Sequence, residues 1–312
     1  MKRLFLVFTT ILVLILSSVN CTPSPAPTST PEPPTSPRPA PPPTPQPAPS
    51  PTTAPTPGTI TTAEELSVHF IDVGQGDSIL IDLGETEVLI DGGGKSPGVL
   101  SYLNHYVEGA LEVLVATHPH ADHIGGLIAV LDKFDVEKIW LNGDTSTSKT
   151  YQEFMRRVNA EGASINEAIR GRSIEKDALS FIILHPIKPL TDDANNNSIV
   201  LRLSYGSIDF LFTGDAEKEA EASILQSGQP LQANILKVGH HGSKTSTSAE
   251  FLNTVKPQMA IYMAGKGNRY SHPYQETIDA LTKAGAKIYG TDINGTIIIT
   301  TDGKKFAIDT EK

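Results

Sequence analysis

Cysteine and tryptophan are almost absent from this sequence of 312 residues: Cys21 is the only cysteine and Trp140 the only tryptophan. A single cysteine cannot form a disulfide within the chain. Aromatic residues make up only 6% of the sequence, and few of them lie near the motifs described below. This scarcity disfavours recognition of choline, which takes an aromatic cage. Apart from one run near the start, the sequence also lacks the long apolar stretches that would build a bundle of membrane helices.

That one run predicts a targeting segment over residues 1–21. Lys2 and Arg3 are followed by an apolar stretch from Leu4 to Val19, which is short for a membrane span, and then by Cys21. The position of Cys21 resembles the acylation site of bacterial lipoproteins, although the preceding residues Ser18, Val19 and Asn20 depart from the usual pattern. A signal anchor and ordinary secretion are the alternatives. All three place the following domain outside the cytoplasm, anchored to the membrane or secreted.

Residues 22–57 consist almost entirely of proline, threonine, serine and alanine. Such a segment has too little apolar surface to fold, and we expect a disordered spacer with polyproline II character. At ~3.1 Å per residue it spans on the order of 100 Å. It is predicted to hold a globular domain, residues 58–312, away from a membrane.

The globular part is acidic. Without Lys2, Arg3, Glu32 and Arg38, which precede it, 22 basic and 34 acidic residues remain, a net charge of −12. This balance disfavours non-specific nucleic-acid binding, although a local basic patch can override it.

Strands and helices are predicted to alternate along this domain. Three strands open it at 66–72, 78–83 and 87–91, and helices are predicted at 97–109, 124–134, 149–162, 216–226 and 275–284. Further strands are predicted at 112–117, around 139, at 179–184, 199–205 and 208–213, and near 235 and 261, and two more flank 295 and 302–303. Two sheets with helices outside fit this order.

The densest group of polar residues is THPHADHIGG at positions 117–126. It brings His118, His120, Asp122 and His123 onto one predicted strand-to-helix loop. Imidazole and carboxylate are the donors that suit zinc, manganese and iron. The loop therefore predicts a metal site.

Further candidate ligands follow later strands. Asp215 lies in FLFTGDAE, where a helix N-cap is the structural alternative. His240 and His241 lie in VGHHGS, and His272 in RYSHP. Each comes at the carboxyl end of a predicted strand, where α/β folds assemble their sites.

HPHADH, TGDA and VGHHGS, preceded by HFIDVGQGDSILI and DGGG, resemble the metallo-β-lactamase superfamily and, within it, the hydrolase domain of ComEC-type DNA-uptake proteins. The resemblance covers roughly residues 67–308. It implies an α/β (α+β) fold, a four-layer αββα sandwich with two divalent metal ions between the sheets.

Position by position, the resemblance implies that the first metal takes His118 and His120, and that the second takes Asp122 and His123. Asp215 would bridge them, and one of His240 and His241, preferably His241, would complete the second site. Many members of the superfamily add another histidine to the first metal. The only histidine in that interval, His185, is poorly placed, and the matching position is held by Asn195–Asn197 and Ser198. A site this rich in oxygen donors favours manganese, with zinc next.

Substrate contacts are predicted around this site. Lys237, Lys244, Lys266 and Arg269 lie close to the site loops in sequence and would suit a phosphodiester. Gln75 and Asp77 could reach the site from the first hairpin, whereas His69 and His105 are interpreted as structural. The predicted catalytic residues are Asp122, His240 and His272, where His272 protonates a leaving group or orients a phosphate. The predicted substrate-binding residues are Asn197, Ser198, Ser243, Lys244 and Arg269.

These features predict an extracytoplasmic, membrane-tethered, metal-dependent hydrolase, a phosphodiesterase or nuclease that cleaves DNA with a hydroxide activated by two metal ions. No protein partner is predicted. Hydrolysis of another ester, such as a lactone or a wall-polymer phosphodiester, is one alternative. An inactive surface binding module is the other, and retention of HxHxDH, Asp215 and the histidine pair of HHGS argues against it.

Overall fold

The computed structural model of the protein describes residues 64–95 and 98–312. The predicted leader at 1–21 and spacer at 22–57 lie outside these residues. Within the described part, none of the helices has the length and apolar character needed to cross a membrane.

Fifteen strands of the described part form two sheets. The first sheet has the order β15-β14-β1-β2-β3-β4-β5-β6 and the second β13-β12-β11-β10-β9-β8-β7. The strands are β1 (Leu66–Phe70), β2 (Ile79–Leu83), β3 (Thr86–Ile90), β4 (Leu111–Ala116), β5 (Val136–Leu141), β6 (Ser164–Glu167), β7 (Ser173–Lys176), β8 (Leu179–His185), β9 (Val200–Tyr205), β10 (Ile208–Phe212), β11 (Ile235–Lys237), β12 (Met259–Tyr262), β13 (Lys287–Gly290), β14 (Ile297–Thr301) and β15 (Phe306–Thr310).

Helices cover the outer face of each sheet. They are α1 (Gly98–Tyr106), α2 (Ala121–Ile124), α3 (Leu127–Leu131), α4 (Lys149–Glu161), α5 (Lys218–Leu225), α6 (Ala249–Val255), α7 (Gln275–Lys283) and α8 (Thr291–Asn294). The first four contribute to an apolar cluster on the first sheet, and α5, α6 and α7 to one on the second. Together with the two sheets they make the predicted four-layer αββα sandwich, which is confirmed.

The core between the sheets comes from alternation along the strands. In β1, Leu66, Val68 and Phe70 are fully buried in the inter-sheet cluster, together with inward residues of β10 such as Phe210 and Phe212. The intervening positions face the helices. Because successive side chains of a strand point to opposite sides, one sheet can serve both apolar layers.

The predicted order of strands and helices is confirmed in its main elements, and the differences are short. The sequence analysis missed β6, β7, β13, α6 and α8, which are only four to seven residues long and carry little periodicity. The helix predicted at 124–134 is broken into α2 and α3 around Gly125 and Gly126. A Cβ on Gly126 would collide with the carbonyl oxygen of Gly92, so glycine is required where the metal-site loop packs on the DGGG turn.

His69 lies on the outer face of β1, and its burial predicts that the stability of the protein depends on pH. Its Nδ1 is 2.8 Å from the hydroxyl of Tyr102, and burial lowers the pKa of this imidazole from 6.5 to about 4. The unfolded chain therefore takes up a proton before the folded one as the pH falls. The stability that neutral His69 contributes is complete above pH 6.5 and is lost between 6.5 and 4.

We expect the free energy of unfolding of the metal-free protein to fall less in His69→Phe than in the wild type when the pH drops from neutral to 5. The difference should be about 2 kcal/mol, since each unit of pKa difference corresponds to ~1.36 kcal/mol. Urea unfolding at several pH values measures it. The matched control is His105→Gln on α1, because His105 is exposed. Equal pH dependence in wild type and His69→Phe would contradict the prediction.

Candidate metal centre

The candidate ligands lie at one edge of the sandwich, where parallel strands end. β3 pairs with β4, and β10 pairs with β11, in parallel. The loop after β4 carries the first histidines, Asp215 follows β10, and His240 and His241 follow β11. Parallel strands bring their carboxyl ends to the same edge, so segments distant in sequence meet there.

Four histidines converge on one carboxylate oxygen, Oδ2 of Asp215. The distances from their Nε2 atoms are 3.8 Å for His118, 3.2 Å for His123, 3.7 Å for His240 and 3.4 Å for His241. Burial alone would raise the pKa of Asp215, but His123 and His241 hold that pKa well below its ordinary value. Asp215 is therefore a buried anion shared by the whole group. It is not the N-cap of α5, which is Glu217.

The other ring nitrogen of each of these histidines is held from behind. Nδ1 of His123 is 2.7 Å from Oδ2 of Asp91, and Nδ1 of His241 is 2.9 Å from the carbonyl oxygen of Met263. A carboxylate or carbonyl oxygen can only accept, so Nδ1 donates its proton to it, and Nε2 is the ring atom that faces the centre.

His118 and His240 are oriented in the same way. Nδ1 of His118 is 3.1 Å from Oγ1 of Thr117, and Nδ1 of His240 is 2.9 Å from Oε1 of Glu217. The Thr117 hydroxyl itself donates to Asp91 at 2.7 Å, so it accepts from His118. Asp91 thereby supports two ligands at once.

The buried polar atoms at this centre fit metal ions. Oδ1 of Asp215 and Nε2 of His118, His123 and His241 are buried without a hydrogen-bond partner. A buried polar atom left unsatisfied is costly, and a cation would satisfy all four. The candidate donor atoms form two sets, and within each set all the atoms lie within 4.8 Å of one another. The sets are His118, His120 and Asp215, and Asp77, His123, Asp215 and His241.

Asp122 lies beside the second set. Its Oδ2 is 3.5 Å from Nε2 of His241, which holds the pKa of Asp122 low against the effect of its burial. It is carried by α2, one residue before His123. The backbone of Gly76 packs against the carbonyl of Asp122 so closely that a Cβ would overlap it. The first hairpin thus fixes the position of the loop that bears Asp122.

The pair His240 and His241 reaches the centre through an unusual backbone. Both residues are left-handed, with φ of 45° and 56°. This region is uncommon for residues other than glycine, and where it occurs it is characteristic of functional sites. It lets two consecutive imidazoles aim their Nε2 atoms at Asp215, so either one can serve as the ligand.

The supporting carboxylates Asp91, Asp77 and Glu217 were not assigned a role behind the histidines from the sequence. Asp77 lies behind His241, with its Oδ1 3.2 Å from Nδ1. Only their positions in the sequence could have indicated such a role. Asp91 opens DGGG at the end of a strand, and Asp77 lies in VGQGDS. Which histidine each one faces depends on the fold alone.

Lys237 is not part of a basic rim. It is fully buried, and its Nζ is 2.7 Å from Oδ2 of Asp77 and 2.8 Å from the carbonyl oxygen of Val238. Burial by itself would raise the pKa of Asp77, but the ammonium of Lys237 holds that pKa below its ordinary value. Sequence proximity to the HHGS loop misled the prediction because β11 places this side chain inside the domain.

Three predicted substrate-binding residues are buried and engaged within the protein. The Nδ2 of Asn197 donates to Asp144 at 2.8 Å, Oγ of Ser198 accepts from the Asp215 backbone at 3.2 Å, and Oγ of Ser243 is 2.9 Å from Oγ1 of Thr245. The structure therefore places these three side chains inside the protein around the site, where they support neighbouring groups and are not exposed to a substrate. Lys244 and Arg269, in contrast, are exposed.

The cleft above the centre has a volume of about 380 Å³. Its lining includes Tyr270, which the sequence analysis did not assign, together with Asn195 and the predicted Gln75 and His272. Oδ1 of Asn195 and Nε2 of Gln75 are buried there without a partner. His185, by comparison, is committed elsewhere, because its Nε2 is 2.7 Å from the carbonyl oxygen of Asn196.

Comparison with known proteins agrees with this geometry. Residues 71–266 match the model of the metallo-beta-lactamase superfamily. The chain is 33% identical over 255 residues to ComE operon protein 3 of Bacillus subtilis, and 31% identical over 237 residues to competence protein ComA of Neisseria gonorrhoeae. Each match covers 75% of this chain but only 33% and 32% of the relative, so the chain spans about a third of their length.

Among solved structures, the fold is similar to that of the metallo-beta-lactamase fold protein YhfI from Bacillus subtilis. The TM-score is 0.50 at 15% identity, over 73% of this chain and 96% of that one. At this identity the likeness shows the fold alone. The match across residues 71–266, supported by the relatedness to ComEC-like competence proteins, shows that the chain belongs to the metallo-β-lactamase superfamily.

Proposed function

We propose that the protein is a metal-dependent phosphodiesterase that cleaves DNA at a centre of two divalent ions, manganese or zinc. The observation that carries this proposal is the convergence of four imidazole Nε2 atoms on one buried oxygen of Asp215, at the floor of an open cleft. The similarity to proteins named for competence supports DNA as the substrate.

The first ion would be held by His118 and His120, and the second by Asp122, His123 and His241, with Asp215 between them. When bound, two such ions activate water and offset the charge that develops on a phosphoryl oxygen. The histidines are preorganised for this task because their Nδ1 atoms are already hydrogen-bonded. Little reorganisation is then needed during the reaction.

Two exposed cations on the loops near the centre are proposed to bind the substrate. Arg269 and Lys244 are exposed on the loops that follow β12 and β11. A local positive rim attracts a phosphodiester even when the net charge is negative. In this proposal, Arg269 and Lys244 hold the phosphate backbone of the DNA strand across the metal centre.

His272 is suited to orienting the substrate. Burial, followed by the effects of His240 and His241, lowers its pKa to about 4, so the ring is neutral at pH 7. A neutral imidazole carries no spare proton for a leaving group, but it can donate one N–H to a phosphate oxygen. The unpartnered Nε2 of Gln75 offers a second donor in the same cleft.

The location that we propose is extracytoplasmic. The sequence features that support it are the basic and apolar residues before Cys21 and the proline-rich stretch that follows. Tethered by lipid or by a signal anchor, the catalytic domain would reach DNA outside the cell. Both uptake and scavenging are consistent with that placement.

The test is cleavage of labelled single-stranded and duplex DNA by the protein with manganese or zinc added. We expect the wild type to degrade DNA and the double variant Asp122→Ala, His123→Ala to show no activity, because it lacks two ligands of the second ion. Chelation of the metal should also stop the wild type. Absence of degradation by a wild type with metal demonstrably bound would refute the nuclease proposal and direct attention to small phosphodiesters and lactones.

A further inference from the structure

One exposed aromatic residue stands at the edge of the metal cleft. Five large hydrophobic side chains are exposed in residues 64–95 and 98–312, and of these only Tyr270, at 43% exposure, lines the cleft. It lies on the loop between β12 and α7, on the same side as His272. An aromatic ring that is exposed beside a site is more informative than one that is exposed elsewhere on the surface.

Tyr270 belongs to a layer of planar groups that leads into the cleft. Its ring is 5.8 Å from that of His272 at an interplanar angle of 25°, and His272 is 5.4 Å from His240. The guanidinium carbon of Arg269 lies 4.8 Å from the Tyr270 centroid. His272 meets His240 edge to face, at an interplanar angle of 75°. Contacts between aromatic rings therefore connect the exposed Tyr270 to His240, which contacts Asp215.

The loop that carries this layer is held rigidly by Asn268. The Nδ2 of Asn268 donates to the carbonyl oxygens of Gly265 and His272 at 2.9 and 2.6 Å, and its Oδ1 accepts from the backbone N–H groups of Tyr270 and His272, both at 3.1 Å. Packing of Pro273 against Gly242 joins the loop to the HHGS segment, because a Cβ at Gly242 would collide with Pro273. Tyr270 is thus presented to the cleft in a fixed position.

We propose that Tyr270 and Arg269 form a stacking subsite for one unpaired nucleobase next to the scissile phosphate. This inference rests on the proposed function. Bases of a single strand can stack on an exposed aromatic ring whatever their identity, and the guanidinium adds a cation–π contact or a phosphate contact. Bases within a duplex have both faces covered by their neighbours. The subsite therefore makes single-stranded DNA the preferred substrate.

The experiment compares two substrates of equal length and charge, a single-stranded oligonucleotide and a phosphodiester polymer of abasic sites, with the metal-loaded full chain. Loss of base stacking costs roughly tenfold in affinity or more. We expect Tyr270→Ala to lower kcat/KM for the oligonucleotide about tenfold, mainly through KM, and to leave the abasic polymer unchanged. Tyr270→Phe keeps the ring and is expected to retain the wild-type values, and the preference for single-stranded over duplex DNA should shrink only in Tyr270→Ala.

Three results would overturn the subsite. The first is an equal loss on both polymers, which would show that Tyr270 only supports the fold of the loop. The second is no loss on either. The third is a wild type whose kcat/KM for the abasic polymer equals its kcat/KM for the oligonucleotide. If the wild type cleaves neither polymer, the proposed function fails and the subsite with it, so the two failures are distinguishable.

Discussion

Replacing Asp215 with alanine is expected to lower kcat for DNA cleavage by at least about a thousandfold, because stabilisation of the transition state by bound metal is worth several kcal/mol. The carboxylate is the common neighbour of His118, His123, His240 and His241. Without it, both sets of donors lose a ligand and the centre loses a buried anion. We expect bound metal, measured on the isolated protein, to fall below that of the wild type together with activity.

The matched control is Asp209→Ala. Asp209 lies on β10, six residues before Asp215, and forms an ion pair with Arg202 at 2.8 Å on the outer face of the sheet. Both variants remove one carboxylate near the same strand, so a general effect on β10 would appear in both. Asp209→Ala should keep its metal and its activity. Full metal content in Asp215→Ala would show that this residue does not bridge the ions.

The clustering of the candidate ligands was predictable from the sequence because their chemistry is local. Three histidines and an aspartate within six residues have few structural reasons to occur together, and the other ligands follow apolar runs that are recognisable as strands. The sandwich was predictable for a related reason, because alternating apolar positions indicate strands and longer periodic segments indicate helices. The resemblance of HPHADH, TGDA and VGHHGS to one superfamily then connected the segments.

The residues that orient the ligands were not predictable in the same way. Asp91 contacts His123 across 32 positions of sequence, and nothing in DGGG says which imidazole it faces. Lys237 was predicted to lie with the exposed cations, but β11 turns its side chain into the domain. Tyr270 was overlooked because a single tyrosine has no pattern of its own, and its position depends on how Asn268 folds the loop. In all three cases the position of the side chain depends on the tertiary fold, and composition does not determine it.

Buried charges lie behind the candidate ligands of the second set. Asp77, Lys237 and His241 form a chain of polar contacts with essentially no exposure to water. A buried charge is tolerated when it is paired and hydrogen-bonded, and Lys237 pairs with Oδ2 of Asp77 and donates to the carbonyl oxygen of Val238. The second set of donors is therefore held by an internal ion pair that the metal does not have to create.

Breaking that ion pair is expected to be among the most destabilising single changes in the domain. We expect Lys237→Met to lower the free energy of unfolding of the metal-free protein by about 3–5 kcal/mol, because it leaves the Asp77 carboxylate buried and without its cation. Methionine occupies a similar volume, so loss of packing contributes little. Urea denaturation in the presence of a chelator measures the change without a contribution from metal binding.

The double variant Lys237→Met, Asp77→Asn separates charge from packing. Asparagine keeps the shape of the side chain and an oxygen that can face His241, but it removes the unpaired charge, so the double variant should recover part of the loss of the single one. Lys244→Met serves as the surface control, and a change at an exposed lysine should stay within about 0.5 kcal/mol. A single variant as stable as the wild type would contradict the buried pair. If single and double variants are destabilised equally, the cost lies in packing around Lys237 and not in the charge of Asp77.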